Sequence, residues 1–460
     1  MKKIKAISIA MASILALGTL CGCQGKKTGS NGVTEVVIWS ANSSEKAVMN
    51  ELVNKFNNST GKEKGVKVVW ELKENNMTQQ LEVAMQNGTE PDIFSGGTLS
   101  KLAEQDKIVA LEDIPGLAEM LEKNGEVKAD GWNTYNGKTY FLAASAQLYG
   151  LAYNKDMFKA AGIVDEKGDA KPPTTIAEML EDAKKLTNPD KQEYGFIAPV
   201  KWGGWYGCEI QAPAQGSSGM QDGVYDVKTG TYDYSGVKPI AEAFMQMKKD
   251  GSLYPGAESM DNDPARARFA EGNIGMKMAV SWDVGVWNDQ FPTKCDWGIA
   301  PIPVADENNA YKQVKGAGWT DMISKKGLEE KGADKIAIVY NWLWGDDVLK
   351  EKCEKSVLMP WREDIVEKVN FEGTKKGWED FANILKISTA QQPGLSRDMS
   401  GHDSIGTDFV NRVWSGQVSF DDWAKEVSGW SNDGVKKYKE LHPDVDQSDR
   451  IKPEWDIKLN

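Results

Sequence analysis

Histidine, the side chain most used for proton transfer near neutral pH and for holding zinc, occurs only at His402 and His442 in this chain of 460 residues. No GxSxG, HExxH or GxxxxGKS pattern is present, so the hydrolase elbow, the zincin helix and the P-loop all lack their residues. Tryptophan is instead in surplus, with 17 Trp against 12 Phe and 13 Tyr. An indole offers a broad flat face and one N–H donor, which suits a cleft that stacks on a flat, polar ligand, although the same side chain also fills cores. Trp202, Trp205 and Trp319 lie in glycine-rich loops, poor places for core tryptophan and good ones for contact. Trp282 follows an apolar strand pattern at 276–280, and its neighbour Asp283 can accept bonds from hydroxyl groups. Trp342 and Trp344 continue a helical pattern with Ile338 and Val339, while Trp414 and Trp423 flank a helix end, so these four are expected to pack. Ser40, Asn42 and Ser43 follow the first strand pattern, where they could bond a polyol or cap the next helix. Gly96 and Gly97 permit either a close approach of backbone to ligand or a plain turn.

The elements that must position these residues alternate. Val33–Ala41 is rich in β-branched residues and reads as a strand, Glu45–Phe56 carries Val48, Met49, Leu52 and Phe56 on one helical face, and Val66–Glu71 is strand again. Helical spacing recurs at Met77–Asn87, and after Pro91 comes a short Asp92-Ile93-Phe94 strand. Further along, Thr175 with Glu178 forms a capping box, and Val237–Asp250 and Ala333–Leu343 are helical by periodicity. Tyr225–Ser235 alternates around Lys228-Thr229-Gly230 and predicts a surface hairpin. Such alternation of strands and helices predicts an α/β fold with a mostly parallel sheet covered on both faces.

Length predicts two or more domains. The 68 acidic against 55 basic residues give a net charge of −13, a surface that repels phosphate backbones, so nucleic acid is not an expected partner. Residues 1–22 have the composition of an export signal: Lys2, Lys3 and Lys5, then an apolar run from Ala6 to Leu20 that is too short to span a bilayer. The run ends in Leu20-Cys21-Gly22-Cys23, which resembles a bacterial lipobox and implies lipidation at Cys23; an ordinary secretory cleavage nearby is the alternative. Residues 24–33, Gly-, Ser- and Lys-rich, read as a flexible tether. Besides Cys21 and Cys23, only Cys208, Cys295 and Cys353 remain, enough for one disulfide or none and without the spacing of a metal or redox site. Neither a cofactor nor a metal is expected.

Several segments taken together resemble family 1 of the bacterial extracellular solute-binding proteins, the group containing maltose-binding protein. They are VVIWSANSSE, QNGTEPDIF, NGKTYFL, GLAYNKDMFKAAGI with PPTTIAEMLEDAKKL, RFAEGNIGMKMAVSWD, WGIAPIPV and SGQVSFDDW, in the family's order across nearly all of the chain after the export signal. The stretches around Trp202-Gly-Gly-Trp205-Tyr206 and Gly316-Ala-Gly-Trp319 depart from the family pattern and leave the ligand's identity open. The resemblance implies a two-lobed periplasmic-binding-protein-like α/β fold in which 34–148 plus 302–357 form one lobe and 149–301 plus 358–460 the other. Three hinge crossings are implied, near Gln147–Ala152, Ala300–Val304 and Leu358–Trp361. It further implies ligand contacts in the Ser40 to Ser43 loop, at Gln147 on the first crossing, by stacking on Trp282, at Trp361 and Arg362 on the third crossing, and near His402 and Asp403. The implied function is capture of a carbohydrate, a di- or oligosaccharide, by a monomeric, lipid-anchored exported protein that hands it to the permease of an ABC transporter. A lipid-anchored glycoside hydrolase, which needs only two carboxylates flanking an aromatic cleft, is the competing reading. A surface adhesin would want repeats or long β-rich stretches, and neither is seen.

Overall fold

The computed structural model describes residues 32–73, 76–125, 127–128, 132–318 and 321–459, together with all side chains in these ranges except that of Ser43. Cys23, Trp319 and the side chain of Ser43 therefore lie outside what is described. Along the chain the first strands are β1 (Thr34–Ser40), β2 (Val66–Leu72), β3 (Ile93–Phe94) and β4 (Ile108–Val109). Next come β5 (Ser145–Asn154), β6 (Tyr194–Phe196), β7 (Ile274–Val280) and β8 (Trp297–Ala300). The last are β9 (Gln313–Gly318), β10 (Met322–Ser324) and β11 (Ser388–Ala390).

These strands form two large sheets. In the first, the order is β2-β1-β3-β10-β4, with β1 parallel to β2 and β3. Apolar side chains alternate along β1 because one face must meet the helix Lys46–Asn58: Val36 and Ile38 are buried against Met49, Leu52 and Phe56. The second sheet has the order β11-β9-β5-β7-β6, and β8 also pairs with β5. All seven residues of β7 are buried, as befits a central strand covered on both faces. Met276 and Met278 pack on one side with Phe196, Ile240 and Phe244. The capping box at Thr175 is present as expected.

Two features differ from the expectation. The second sheet is not mostly parallel, because β5 runs antiparallel to β7, β8 and β9, and β10 runs antiparallel to β3 and β4. Both are segments on which the chain passes between sheets, and a return pass reverses the strand direction. The second crossing falls beyond β9, not at Ala300–Val304. Ile302 is buried in the core of the second sheet, Val304 bridges to Thr175, and β9 itself pairs with β5, so 302–318 belong with the second lobe. The Tyr225–Tyr232 hairpin forms as expected, with Lys228, Thr229 and Thr231 exposed around the turn, while Tyr225 and Tyr232 turn its inner face into the core.

The first and third crossings run side by side. Ser145 bridges Pro360, Ala146 N–H donates to Met359 O at 2.8 Å and Trp361 N–H to Ala144 O at 3.0 Å. Beneath them a third cluster of buried side chains, including Trp287, Trp297 and Phe381, meets Ala143 and Met359. Cys208, Cys295 and Cys353 are all free thiols.

Candidate ligand-binding cleft

The carboxyl ends of β1, β3 and β7 all point toward the crossings, and there a cavity of about 690 Å3 opens between the two sheets. Open α/β sheets place ligands at this end of their strands because the loops, freed from pairing, can turn polar groups inward. One wall comes from the first sheet: Ser40 and Asn42 after β1, Trp70 on β2 and Ser95 after β3. The other comes from Ser281, Trp282, Val286, Asp289 and Gln290 after β7. The floor is the crossings themselves, with Ser145, Ala146 and Gln147 beside Gly318, Leu358 and Met359.

The loop after β1 is organised by its own side chains. Ser40 Oγ accepts from Asn42 N–H at 3.2 Å, and Asn42 Oδ1 accepts from the Ser44 N–H at 3.2 Å and its hydroxyl at 2.7 Å. The amide of Asn42 donates to Glu45 Oε1 at 2.9 Å. Glu45, 8% exposed, turns its other oxygen to Lys352 Nζ at 3.2 Å. That ammonium also lies 4.8 Å from the centre of the Trp344 ring, a favourable contact in a site shielded from water. Asp321, just past the second crossing, completes this corner of the cleft.

Burial raises the Asp321 carboxyl to about 7, with Glu45 adding to the rise and Lys352 opposing it. The folded chain thus holds this proton up to about pH 7 while an unfolded chain releases it near 4. The folded state binds the extra proton between those values, so Asp321 makes stability fall as pH rises through the interval. Asp321→Asn, which does not titrate, is expected to flatten that decline in melting temperature between pH 4 and pH 7. An unchanged slope would show that the carboxyl titrates alike in both states.

Of the residues expected to touch ligand, the structure brings Ser40, Asn42, Gln147 and Trp282 to the cleft. Trp282 is 43% exposed, unusual for so large an apolar face and suited to stacking. Gln147 donates to the Tyr149 hydroxyl at 2.6 Å, which fixes its amide on the floor. The others are placed elsewhere. Trp205 is 1% exposed and meets Trp414 and Phe244 edge-on with ring centres at 5.3 and 5.7 Å, so it is core. Trp202 packs half-buried on the same cluster, away from the cleft lining. Trp361 is buried under the Lys315 ammonium, 4.4 Å from its ring centre, and Arg362 is spent on ion pairs with Asp346 at 2.8 Å and Asp364 at 2.6 Å. Gly96 and Gly97 have φ of 89° and 90°, a left-handed turn that glycine alone adopts easily. A Cβ on Gly97 would come within 2.8 Å of Leu102, and this glycine faces a separate groove beside Leu81. Asp403 is exposed, and its neighbour His402 stacks on Trp430 at 4.2 Å. Asp283 lies 1% exposed and bonded to Arg266, unavailable to a ligand.

With two lobes, paired crossings and a cleft between them established, comparison with known proteins decides the family. The family model described as bacterial extracellular solute-binding protein matches residues 51–376, more than half of the chain. The chain belongs to that family. Relatives of similar sequence include binding proteins of Brucella abortus (strain 2308) and Brucella suis biovar 1 (strain 1330), each 27% identical over 250 residues. That match covers 51% of this chain and 54% of each relative, so the chain spans about half the length of the curated relatives it matches. Among solved structures, the GacH receptor of Streptomyces glaucescens GLA.O superposes with a TM-score of 0.64 at 18% identity, covering 90% of this chain and 100% of that one. The cyclic alpha-maltosyl-1,6-maltose binding protein of Arthrobacter globiformis gives 0.61 at 19% identity, over 88% and 100%. These likenesses establish the two-lobed periplasmic-binding-protein fold with its hinge crossings.

Within this cleft lie residues that the sequence did not single out as ligand contacts. Trp70, Trp344 and Trp378 add indole to the walls, and Glu45, Asp321 and Lys352 add charge. Trp344 was expected only to pack, and its ring does both: it is 5% exposed yet borders the cavity, with no partner for its Nε1 among the described residues. The signal that could have found Glu45 was its place three residues after Asn42 in the loop; nothing local marks Lys352.

Proposed function

We propose that this solute-binding protein captures a carbohydrate, a di- or oligosaccharide, between its lobes and delivers it to an ABC transporter permease, acting as a monomer anchored by lipid at Cys23. The observation that carries the reading is the half-exposed indole of Trp282 facing a wall of hydroxyl, amide and carboxyl groups across the hinge. Sugars present flat C–H faces and rims of hydroxyls, and this pairing of surfaces answers both. It is supported by what the structural relatives bind: GacH was solved in complex with acarbose, and a Listeria monocytogenes relative in complex with cycloalternan.

A calorimetric panel of linear and cyclic oligosaccharides tests it. At least one sugar should bind saturably without turnover, and the radius of gyration in solution should fall when that sugar saturates, because contacts to both walls favour the closed population. Cleavage of the sugar would favour the hydrolase, and an unchanged scattering profile would remove the hinge from the account. The anchor is tested separately. Cys23→Ala should release the protein from the membrane without loss of sugar affinity, and a variant that stays in the detergent phase would sink the lipidation.

A further inference from the structure

We propose that Arg266 and Asp283 are positioning residues for ligand capture: their buried ion pair fixes the turn that carries Trp282, holding its indole at the cleft before a sugar arrives. The inference rests on the reading of the cleft as a sugar site. A side chain as exposed as Trp282 has little packing to hold it, so its direction depends on the backbone beneath. That backbone is stapled. One oxygen of Asp283 accepts the N–H of Val280, the last residue of β7, at 3.0 Å. The other accepts Arg266 Nε at 2.8 Å and Nη2 at 2.5 Å. The carboxylate thus closes a tight turn with Ser281 and Trp282 inside it. Ser281 is tied from the far side, its N–H donating to Leu148 O at 2.9 Å and its Oγ accepting Leu148 N–H at 3.3 Å.

Arg266 is itself held. It lies in the helix Asn262–Ala270, its Nη1 donates to Asp263 at 2.8 Å, and its carbonyl accepts Trp287 Nε1 at 3.2 Å. Trp287 stands in the π-helical turn Val286–Gln290, a widened turn of a kind that recurs at functional sites. A second buried pair, Lys277 with Glu209 at 2.8 Å, lies close enough for Glu209 to feel both Asp283 and Arg266. Arg266 is spent on Asp263 and Asp283 and Lys277 on Glu209, so both cations are engaged within the network, which acts on the ligand through Trp282. A platform fixed in advance spares the ordering cost at binding.

Fluorine NMR of the full chain labelled with 5-fluorotryptophan tests this without any ligand, the Trp282 line being assigned by its loss in Trp282→Phe. In Asp283→Asn the Trp282 line is expected to move toward that of a free indole while the lines of core residues such as Trp423 stay put. Affinity for whichever panel sugar binds the parent chain should fall about tenfold, by loss of preorganisation. Arg266→Lys, which keeps the cation and loses the fork, should give a smaller change in both and serves if Asp283→Asn does not fold. A Trp282 line unmoved in a folded variant overturns the proposal, as does a moved line with unchanged affinity. If no sugar binds the parent chain, the sugar reading falls on its own, and the position of the Trp282 line still decides whether the pair orients the indole.

Discussion

Lys277→Met is expected to cost about 3–5 kcal/mol of folding stability. Lys277 and Glu209 are each 1% exposed, 2.8 Å apart, and the ammonium also donates to Met278 O at 2.8 Å. Removing the lysine leaves a carboxylate with neither water nor partner, and burial already raises Glu209 to about 7 with the lysine in place. The loss comes from the orphaned charge and not from a large net value of the pair. Lys277→Met with Glu209→Gln should therefore recover much of it. Urea unfolding of the two single variants and the double measures the coupling. Single losses below about 1 kcal/mol would mean that water reaches the pair.

Trp282→Ala should weaken sugar binding by about 1–3 kcal/mol while leaving the melting temperature nearly unchanged. Being 43% exposed, the indole has little core contact to lose. Calorimetry on the sugar found by the panel, beside a melting curve of the same sample, separates the two effects. A large drop in melting temperature at constant affinity would make Trp282 structural.

How much of this could be read in advance depends on how far apart the partners lie. The β1 strand, its helix and the capped helix at Thr175 are local patterns, and they fold where periodicity and caps place them. Trp282 stood out because it follows a strand end, a position fixed by its near neighbours. Asp283 was misread as a ligand acceptor because its partner Arg266 sits 17 positions earlier on another element. Glu45 and Lys352 are 307 positions apart, and no spacing rule reaches that far. Glycine-rich surroundings suggested that Trp205 was a contact residue, yet its ring lies among Phe244, Phe409 and Trp414, which come from distant parts of the chain. The second crossing was misplaced for a similar reason. Whether Ile302 to Gly318 joins one sheet or the other is decided by pairing with β5, not by anything within the segment itself.

The floor of the cleft is made of paired backbone, with Gly316 opposite Gln147 and Gly318 opposite Ser145, while the loops after β1, β3 and β7 supply much of its walls. This divides the molecule into a part that can diversify and a part that cannot. A change of side chain in the loops after β1, β3 or β7 alters what is recognised and leaves the pivot intact. A change on the floor meets the pivot directly: a Cβ on Gly318 would lie 2.0 Å from Ser145 Oγ and 3.3 Å from its carbonyl oxygen. The three short turns can therefore be remodelled independently of the backbone seam beneath them, in which Gly318 admits no side chain without displacing Ser145.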